Sequence, residues 1–209
     1  MEYKMLNIAL TKGRLEEKTI ELLEKAGIKC SGLVDKGRKL VVEIDGIYRF
    51  IFAKACDVVT YVERGVSDIG VVGKDTLMEM KRPVNEIAAL PFGRCRFALA
   101  VLKGRNFYSG YSLKTVATKY PEVTKEYFET KDYPIEIVKI EGSVELAPIL
   151  NLADGIVDIV ETGSTLKENG LEVIETVEEI SARLISNPVS LKTKKQEIMN
   201  FCKKISVNL

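Results

Sequence analysis

The chain of 209 residues contains no histidine. Histidine is the commonest general base and metal ligand near neutral pH, so its absence excludes zinc-hydrolase and Ser-His schemes. Any chemistry must run on carboxylates, lysine, arginine, hydroxyls, backbone amides or a metal carried in with a ligand. A charge excess is also lacking, with 31 Lys and Arg against 30 Asp and Glu. No broad positive field draws in nucleic acid, and any anion site must be local. No apolar run reaches the roughly 20 residues that span a bilayer. The N-terminal MEYKMLNIAL lacks the basic region, apolar core and cleavage site of a secretion signal. Cys30, Cys56, Cys95 and Cys202 are widely spaced, without a C-x-x-C pair. Free cysteines of this kind are commonly small buried apolar residues, which fits a reducing cytoplasm.

What is present is an alternation of strand and helix patterns. KMLNIAL reads as a strand that passes through TKGR into LEEKTIELLEKAGI, where Leu15, Thr19, Leu22, Leu23 and Ala26 recur at helical spacing until Gly27. KLVVEI and IYRFIFA flank Asp45-Gly46, a strong hairpin signal. DVVTYVERG reads as a short helix capped by Asp57, DIGVV as a buried strand and KDTLMEM as a helix start. Beyond Pro91 come RCRFALAVL and TVAT (strands), PEVTKEYFETK (helix), IEIVKI (strand), SVELAPIL (helix) and GIVDIV (strand). The tail KTKKQEIMNFCKKI is an amphipathic helix with Ile198, Phe201, Cys202 and Ile205 on one side and a solvated lysine face. Strands alternating with short helices predict an α/β protein with covered, parallel sheets. At this length the chain makes one large domain or two small ones.

Two segments match each other. In ERGVSDIGVVGKDTL and ADGIVDIVETGSTL, Gly65, Asp68 and Gly73 align with Gly155, Asp158 and Gly163. Such a short match arises by chance wherever a helix feeds a buried strand. The alternative is two similar lobes, each with a glycine turn at the C-terminal end of a strand, where open α/β sheets bind ligands.

In the second segment a glycine after a buried strand lets the following amides and the next helix N-terminus converge on one spot that favours an anion. Thr162, Ser164 and Thr165 add hydroxyl donors, while the lysine and spacing of a Walker loop are missing. Gly163 and its neighbours therefore suit one phosphate monoester. Carboxylates beside such a cradle make sense if the ligand also bears hydroxyls, as a ribose 5-phosphate does. Glu161 and Asp158 can accept from the 2- and 3-hydroxyls or hold Mg²⁺ through water. Strand parity turns one of the two away, and Glu161 is the favoured one; Asp68 has a structural alternative.

Acidic residue, aliphatics, acidic residue, then T-G-x-T resembles the 5-phosphoribosyl-1-pyrophosphate (PRPP) motif of phosphoribosyltransferases. EGSVELAPILNLADGIVDIVETGSTLKENGL is similar to the signature of the ATP phosphoribosyltransferase family, which opens histidine biosynthesis. IALTKGRL, RKL, DVVTYVERGVSDIGVVGKDTL and SARLISNPVS also resemble that family, in order. The resemblance implies the two-lobed fold of type II periplasmic binding proteins with a central cleft. Its first lobe would be residues 1–90 plus 178–209, on the ATP and pyrophosphate side, and its second, PRPP-binding lobe 91–177. It implies attack of adenine N1 of ATP on C1 of PRPP with loss of pyrophosphate, in the cytoplasm and with Mg²⁺ held mainly by substrate, near Glu145. The long form of the family continues into a regulatory domain. This chain stops at Leu209, as the short form does, so the expected partners are a second catalytic chain in a homodimer and a catalytically inert relative of histidyl-tRNA synthetase; no nucleic acid or membrane is expected.

Site residues follow from the resemblance together with position. Lys12, Gly13 and Arg14 follow a strand in TKGR, and Arg38 lies in the polar turn DKGRKL. Arg14 and Arg38 are the expected stabilisers of departing pyrophosphate, and Lys12 a phosphate contact. Lys54, an expected substrate contact, stands where the family often has arginine; the lysine keeps the charge but loses the planar fork. Gly142 and Ser143 are expected at a helix N-terminus, with Glu145 one turn inside. Two rival readings remain: a non-catalytic anion-binding or sensing module on the same fold, and a nucleobase or orotate phosphoribosyltransferase.

Overall fold

The structure, a computed structural model, describes residues 5–205; Lys4, the expected start of the first strand, lies outside them. The described chain divides into two units, one up to Gly93 and again from Ser181, the other Arg94–Ile180. The first unit contains β1 (Leu6–Thr11), α1 (Arg14–Lys25), α2 (Ser31–Val34), β2 (Val41–Ile44), β3 (Tyr48–Ala53), α3 (Ala55–Glu63), β4 (Ile69–Gly73), α4 (Lys74–Met80) and β5 (Asn85–Ala89). The second contains β6 (Cys95–Leu102), β7 (Lys114–Thr118), α5 (Pro121–Thr130), β8 (Ile135–Lys139), α6 (Leu146–Ile149), β9 (Gly155–Val160), α7 (Ser164–Glu168) and β10 (Leu171–Ile180). The chain then returns to the first unit through β11 (Ala182–Ser186), α8 (Pro188–Thr193) and α9 (Lys195–Lys204).

Local chemistry explains most of these boundaries. Helix α1 ends where the amide of Ile28 donates to the carbonyl of Leu23 around Gly27, the usual way a left-handed residue satisfies orphan carbonyls. Asp45 and Gly46 both take positive φ, 51° and 64°, the two-residue turn whose twist suits a hairpin, and Ile47 N–H donates to Ile44 C=O across it. Asp57 does not cap α3: Lys54 holds the extended N-cap conformation and Asp57 sits in the first turn, where its charge still favours the helix. Ile198, Phe201, Cys202 and Ile205 are buried, as their spacing requires, and pack with Phe50, Leu10 and Leu23.

Each unit has its own sheet, ordered β2-β3-β1-β4-β11-β5 in the first and β10-β6-β9-β7-β8 in the second. The expectation of parallel sheets needs correction, because both are mixed. β3, β1 and β4 are parallel, whereas β11 runs antiparallel to β4 and β5; likewise β8, β7 and β9 are parallel, whereas β6 runs antiparallel to β9 and β10. Strand for strand, β3-β1-β4-β11-β5 and β8-β7-β9-β6-β10 have the same order and sense.

The internal repeat therefore exists, but in a different register from the one the sequence suggested. Asp68 Oδ2 accepts from the amide of Asn7 at 2.8 Å, and its own amide donates to Asn7 C=O at 2.9 Å. The residue that repeats this pair of bonds is Asp154, not Asp158. Its Oδ2 accepts from the amide of Thr115 at 2.9 Å and its amide donates to Thr115 C=O at 2.8 Å. Gly65 and Asn151, both left-handed, stand at equivalent places before them. Gly73 is the extended last residue of β4, while Gly163 is left-handed, so these two glycines are not counterparts.

The two aspartates differ in depth. Asp68 is 3% exposed and also accepts from Ser190 Oγ and Lys194 Nζ, both at 2.7 Å, while the Asp154 side chain is 39% exposed and faces Lys114 at 3.9 Å. Breaking a buried pair costs about 3–5 kcal/mol, and losing a half-exposed hydrogen bond about 1 kcal/mol. Asp68→Ala should therefore destabilise the protein several-fold more than Asp154→Ala in urea denaturation. Equal losses would refute the difference in role.

Candidate active site

β9 leaves its sheet at Val160, and the chain turns through Glu161, Thr162 and Gly163 into α7. Gly163 has φ 78°, a conformation that costs other residues about 1–2 kcal/mol. A Cβ there would meet only Val160 Cγ1, at an ordinary 3.7 Å, so the backbone angle asks for glycine and crowding does not. The turn brings Thr162 Oγ1 and Ser164 Oγ within 3.0 Å of each other. Their hydroxyls and the amides around Gly163 form a compact group of donors.

Glu145, Asp158, Glu161, Thr162, Gly163 and Thr165 line a pocket of about 240 Å³ together with Ile159, Val160 and Leu166. This is smaller than the roughly 300 Å³ of the smallest drug-sized sites and suits a fragment such as a sugar phosphate. Parity does not separate the two carboxylates: Asp158 is within β9 and Glu161 is past its end, and both reach the pocket. Burial pushes the Asp158 carboxyl above its ordinary range, and the negative charge of Glu145 adds to the effect. An amide contact at Ile159 and the charge of Lys119 oppose it.

Two expectations about helix ends change. α7 has five residues and α6 four, too few for a large macrodipole, so donor groups and not the dipole define the anion site. Glu145 is the N-cap residue of α6, not a residue one turn inside it. Gly142 and Ser143 lie in the exposed loop before it and are not among the pocket's lining residues.

The first unit gathers cations at the C-terminal edge of its parallel strands. Lys12 follows β1 and donates its amide to Ala53 C=O at the end of β3, so Lys12 and Lys54 emerge side by side. Gly13, with φ 90° and ψ −142°, opens α1 and leads to the exposed Arg14. Arg38 lies in the exposed turn before β2, two residues from Leu40, whose carbonyl accepts from Phe52 of β3 at 2.9 Å. A pocket of about 470 Å³ in the same unit is lined by Leu6, Ile47 and Tyr48, at the starts of β1 and β3, and by Glu197, Asn200, Lys203 and Lys204 of α9. That is the edge opposite to where open α/β sheets place ligands. Sequence reasoning gave Asp154 no role, although it fixes β9 beside β7; its signal was the aspartate immediately before a buried strand, as at Asp68.

Similarity to known proteins runs along nearly the whole chain. The family described as "HisG: ATP phosphoribosyltransferase" matches residues 54–207. ATP phosphoribosyltransferase of Clostridium kluyveri is 53% identical over 207 residues, covering 99% of this chain and 94% of the relative. The Clostridium acetobutylicum enzyme is 53% identical over 203 residues, covering 97% and 94%. A chain of the ATP phosphoribosyl transferase (HisG:HisZ) complex from Thermotoga maritima superposes with TM-score 0.82 at 39% identity, covering 97% of both chains. The periplasmic aliphatic sulphonate binding protein SsuA from Escherichia coli matches with TM-score 0.62 at 11% identity, covering 97% of this chain and 72% of its own. That last likeness shows the fold alone.

The raised carboxyl of Asp158 has a sign that can be checked. The folded state favours its protonated form, so the charged form costs stability, and the cost grows as pH rises through the ordinary aspartate range. Asp158→Asn should thus raise the melting temperature by about 1–3 °C at pH 7 and by less near pH 4. It should also lower kcat/KM for the pocket's substrate by roughly 10-fold or more, as polar groups that hold a ligand often cost stability. A melting temperature that falls at pH 7 would contradict the assignment.

Proposed function

The chain belongs to the ATP phosphoribosyltransferase family and transfers the 5-phosphoribosyl group of PRPP to N1 of ATP, releasing pyrophosphate in the first step of histidine biosynthesis; we propose that the pocket at the end of β9 is its PRPP site. The observation that carries this reading is the meeting of the Thr162, Gly163 and Thr165 donors with the Glu145, Asp158 and Glu161 carboxylates in one small pocket. Thr162, Gly163, Ser164 and Thr165 hold the 5-phosphate. Asp158 and Glu161 accept hydrogen bonds from the ribose hydroxyls, and Gly142 and Ser143 offer further amides beside Glu145.

The adenine N1 lone pair forms the new bond to C1 while the bond from C1 to the pyrophosphate oxygen breaks, its electrons leaving with pyrophosphate. No protein base is needed, which suits a chain without histidine. What the protein supplies is alignment and stabilisation of the leaving charge. Arg14 and Arg38 serve that charge, with Lys12 as a phosphate contact and Lys54 as a further substrate contact.

The family works with a metal ion, and Mg²⁺ is the ion proposed here. No group of three or more acidic or cysteine side chains among the described residues is arranged to hold a metal. The carboxylate oxygens that line the pocket fit an ion carried by PRPP and touched through water by Glu145 or Asp158. When bound, the ion neutralises charge on the pyrophosphate. The similar Thermotoga maritima chain comes from a HisG:HisZ complex, which supports a hetero-oligomer of this chain with a HisZ-like, histidyl-tRNA-synthetase-related subunit; a homodimer of catalytic chains and a cytoplasmic location complete the proposed reading. No described helix is long and apolar enough to cross a membrane.

Incubation with PRPP, Mg²⁺ and either ATP, adenine or orotate should release pyrophosphate only with ATP. Release with a free base instead would point to another phosphoribosyltransferase, and release with none to a binding module. Arg14→Ala and Arg38→Ala should lower kcat by roughly 10²-fold while changing each KM by much less, since both groups meet charge that grows in the transition state. A change confined to KM would make them ground-state binding groups.

A further inference from the structure

The pocket has a charge problem that its lining does not solve. Glu145, Asp158 and Glu161 are three carboxylates, and neither lysine nor arginine is among the lining residues. A phosphate monoester placed there carries up to two further negative charges, and the hydroxyls of Thr162 and Thr165 are neutral donors. Such like charges repel unless cations answer them; Lys119, whose charge acts on Asp158, is one, and it is not among the lining residues.

The strand beside β9 carries another. In the antiparallel pair of β6 and β9, Arg96 lies directly opposite Val160, and Ala98 opposite Asp158. Directly opposed residues share a face of the sheet. That face is identified by Ala98, Val160 and Leu166, which pack in one core cluster under α6 and α7. Arg96 therefore projects on the face that carries the pocket, next to Val160, whose Cγ1 lies 3.7 Å from where a Cβ on Gly163 would be. Long side chains span such diagonal distances on a sheet.

Arg96 is also unspent. Its Nε is buried without a hydrogen-bond partner, a condition that costs free energy unless something completes it. Glu179, directly opposite on β10, makes no ion pair with it among the described residues. Lys114, Lys131, Lys139 and Lys194, by contrast, each face a carboxylate.

We propose that Arg96 is a ligand of the phosphate group bound at Gly163, supplying the fork of donors and the positive charge that the Thr162–Thr165 turn lacks. Guanidinium matches phosphate oxygens two at a time, which an ammonium group does not. The inference rests on the reading of this pocket as the PRPP site, and it adds a residue of β6 to the phosphate grip.

Calorimetric titration of the full chain with ribose 5-phosphate and, separately, with inorganic pyrophosphate tests it. Arg96→Met should weaken ribose 5-phosphate binding by about 10- to 100-fold, the size expected for a charge-assisted contact, and leave pyrophosphate binding within about 2-fold. Arg96→Lys should fall between the two. In steady state, KM for PRPP should rise with KM for ATP unchanged, which a general loss of structure would not produce. Unchanged ribose 5-phosphate affinity in Arg96→Met overturns the proposal; if that variant does not fold, wild-type affinity in Arg96→Lys does so. Failure of the wild-type chain to bind ribose 5-phosphate at all, tested alongside Gly163→Val, sinks the pocket reading itself and takes this proposal with it.

Discussion

An aspartate that closes the start of one strand onto its parallel neighbour sets the geometry on which the candidate site depends. Asp154 exchanges two hydrogen bonds with Thr115, and the register of β9 against β7 then runs unbroken from Gly155 opposite Val116 to Val157 opposite Thr118. Thr118 Oγ1 donates to Val157 C=O at 2.7 Å and locks the far end. With both ends fixed, the point where β9 leaves the sheet is fixed too. Asp158 and the turn at Gly163 thereby hold their positions relative to Glu145, the N-cap of α6. A slip of one residue would turn Asp158 to the opposite face.

The same device in the first unit serves stability more than ligand binding. Asp68 is buried and completes its bonds with Lys194 and Ser190, so it ties β1 and β4 to α8 and the helix after it. Asn187 strengthens the joint: its side chain caps α8 and donates to the carbonyls of Val62 and Glu63 at the end of α3. One unit thus uses an aspartate to close its own core, while the other leaves its aspartate half-exposed at the start of the strand whose far end carries the pocket. The acidic pocket then tolerates a carboxyl at Asp158 whose charge the fold itself disfavours, a condition that hydroxyl donors or a cation would relieve.

Elements governed by local rules were legible in the sequence. The Asp45-Gly46 hairpin, the stop at Gly27 and the buried stripe of the last helix each follow from a few adjacent residues. So did the left-handed glycine and hydroxyl cluster at Thr162–Thr165, because a tight turn after a buried strand is a local event. β10 shows no clean alternation, since four of its ten residues are glutamates at uneven spacing and it runs through two register irregularities against β6; its place is set by pairing. β11 is a five-residue strand, ARLIS, whose single arginine interrupts a short apolar run. The repeat was misregistered because the eye follows the repeated Asp-Ile pair, whereas the fold matches hydrogen bonds made at strand starts. Glu145 reached the pocket as expected but from a different position on its helix, and Gly142 and Ser143 did not line it, because α6 begins later than the apolar pattern suggested.

A chain without histidine is suited to a reaction whose nucleophile is already a lone pair and whose leaving group departs as an anion. Binding and charge placement are all that such a reaction asks of the protein, and the donor turn and carboxylates at the end of β9 are the groups proposed to supply the binding of PRPP. The most direct test is a crystal structure of the chain with PRPP and Mg²⁺. The 5-phosphate should lie against the amides and hydroxyls of Thr162 to Thr165, with the ribose hydroxyls facing Asp158 and Glu161. A phosphate seated elsewhere, with this turn left to solvent, would contradict the account.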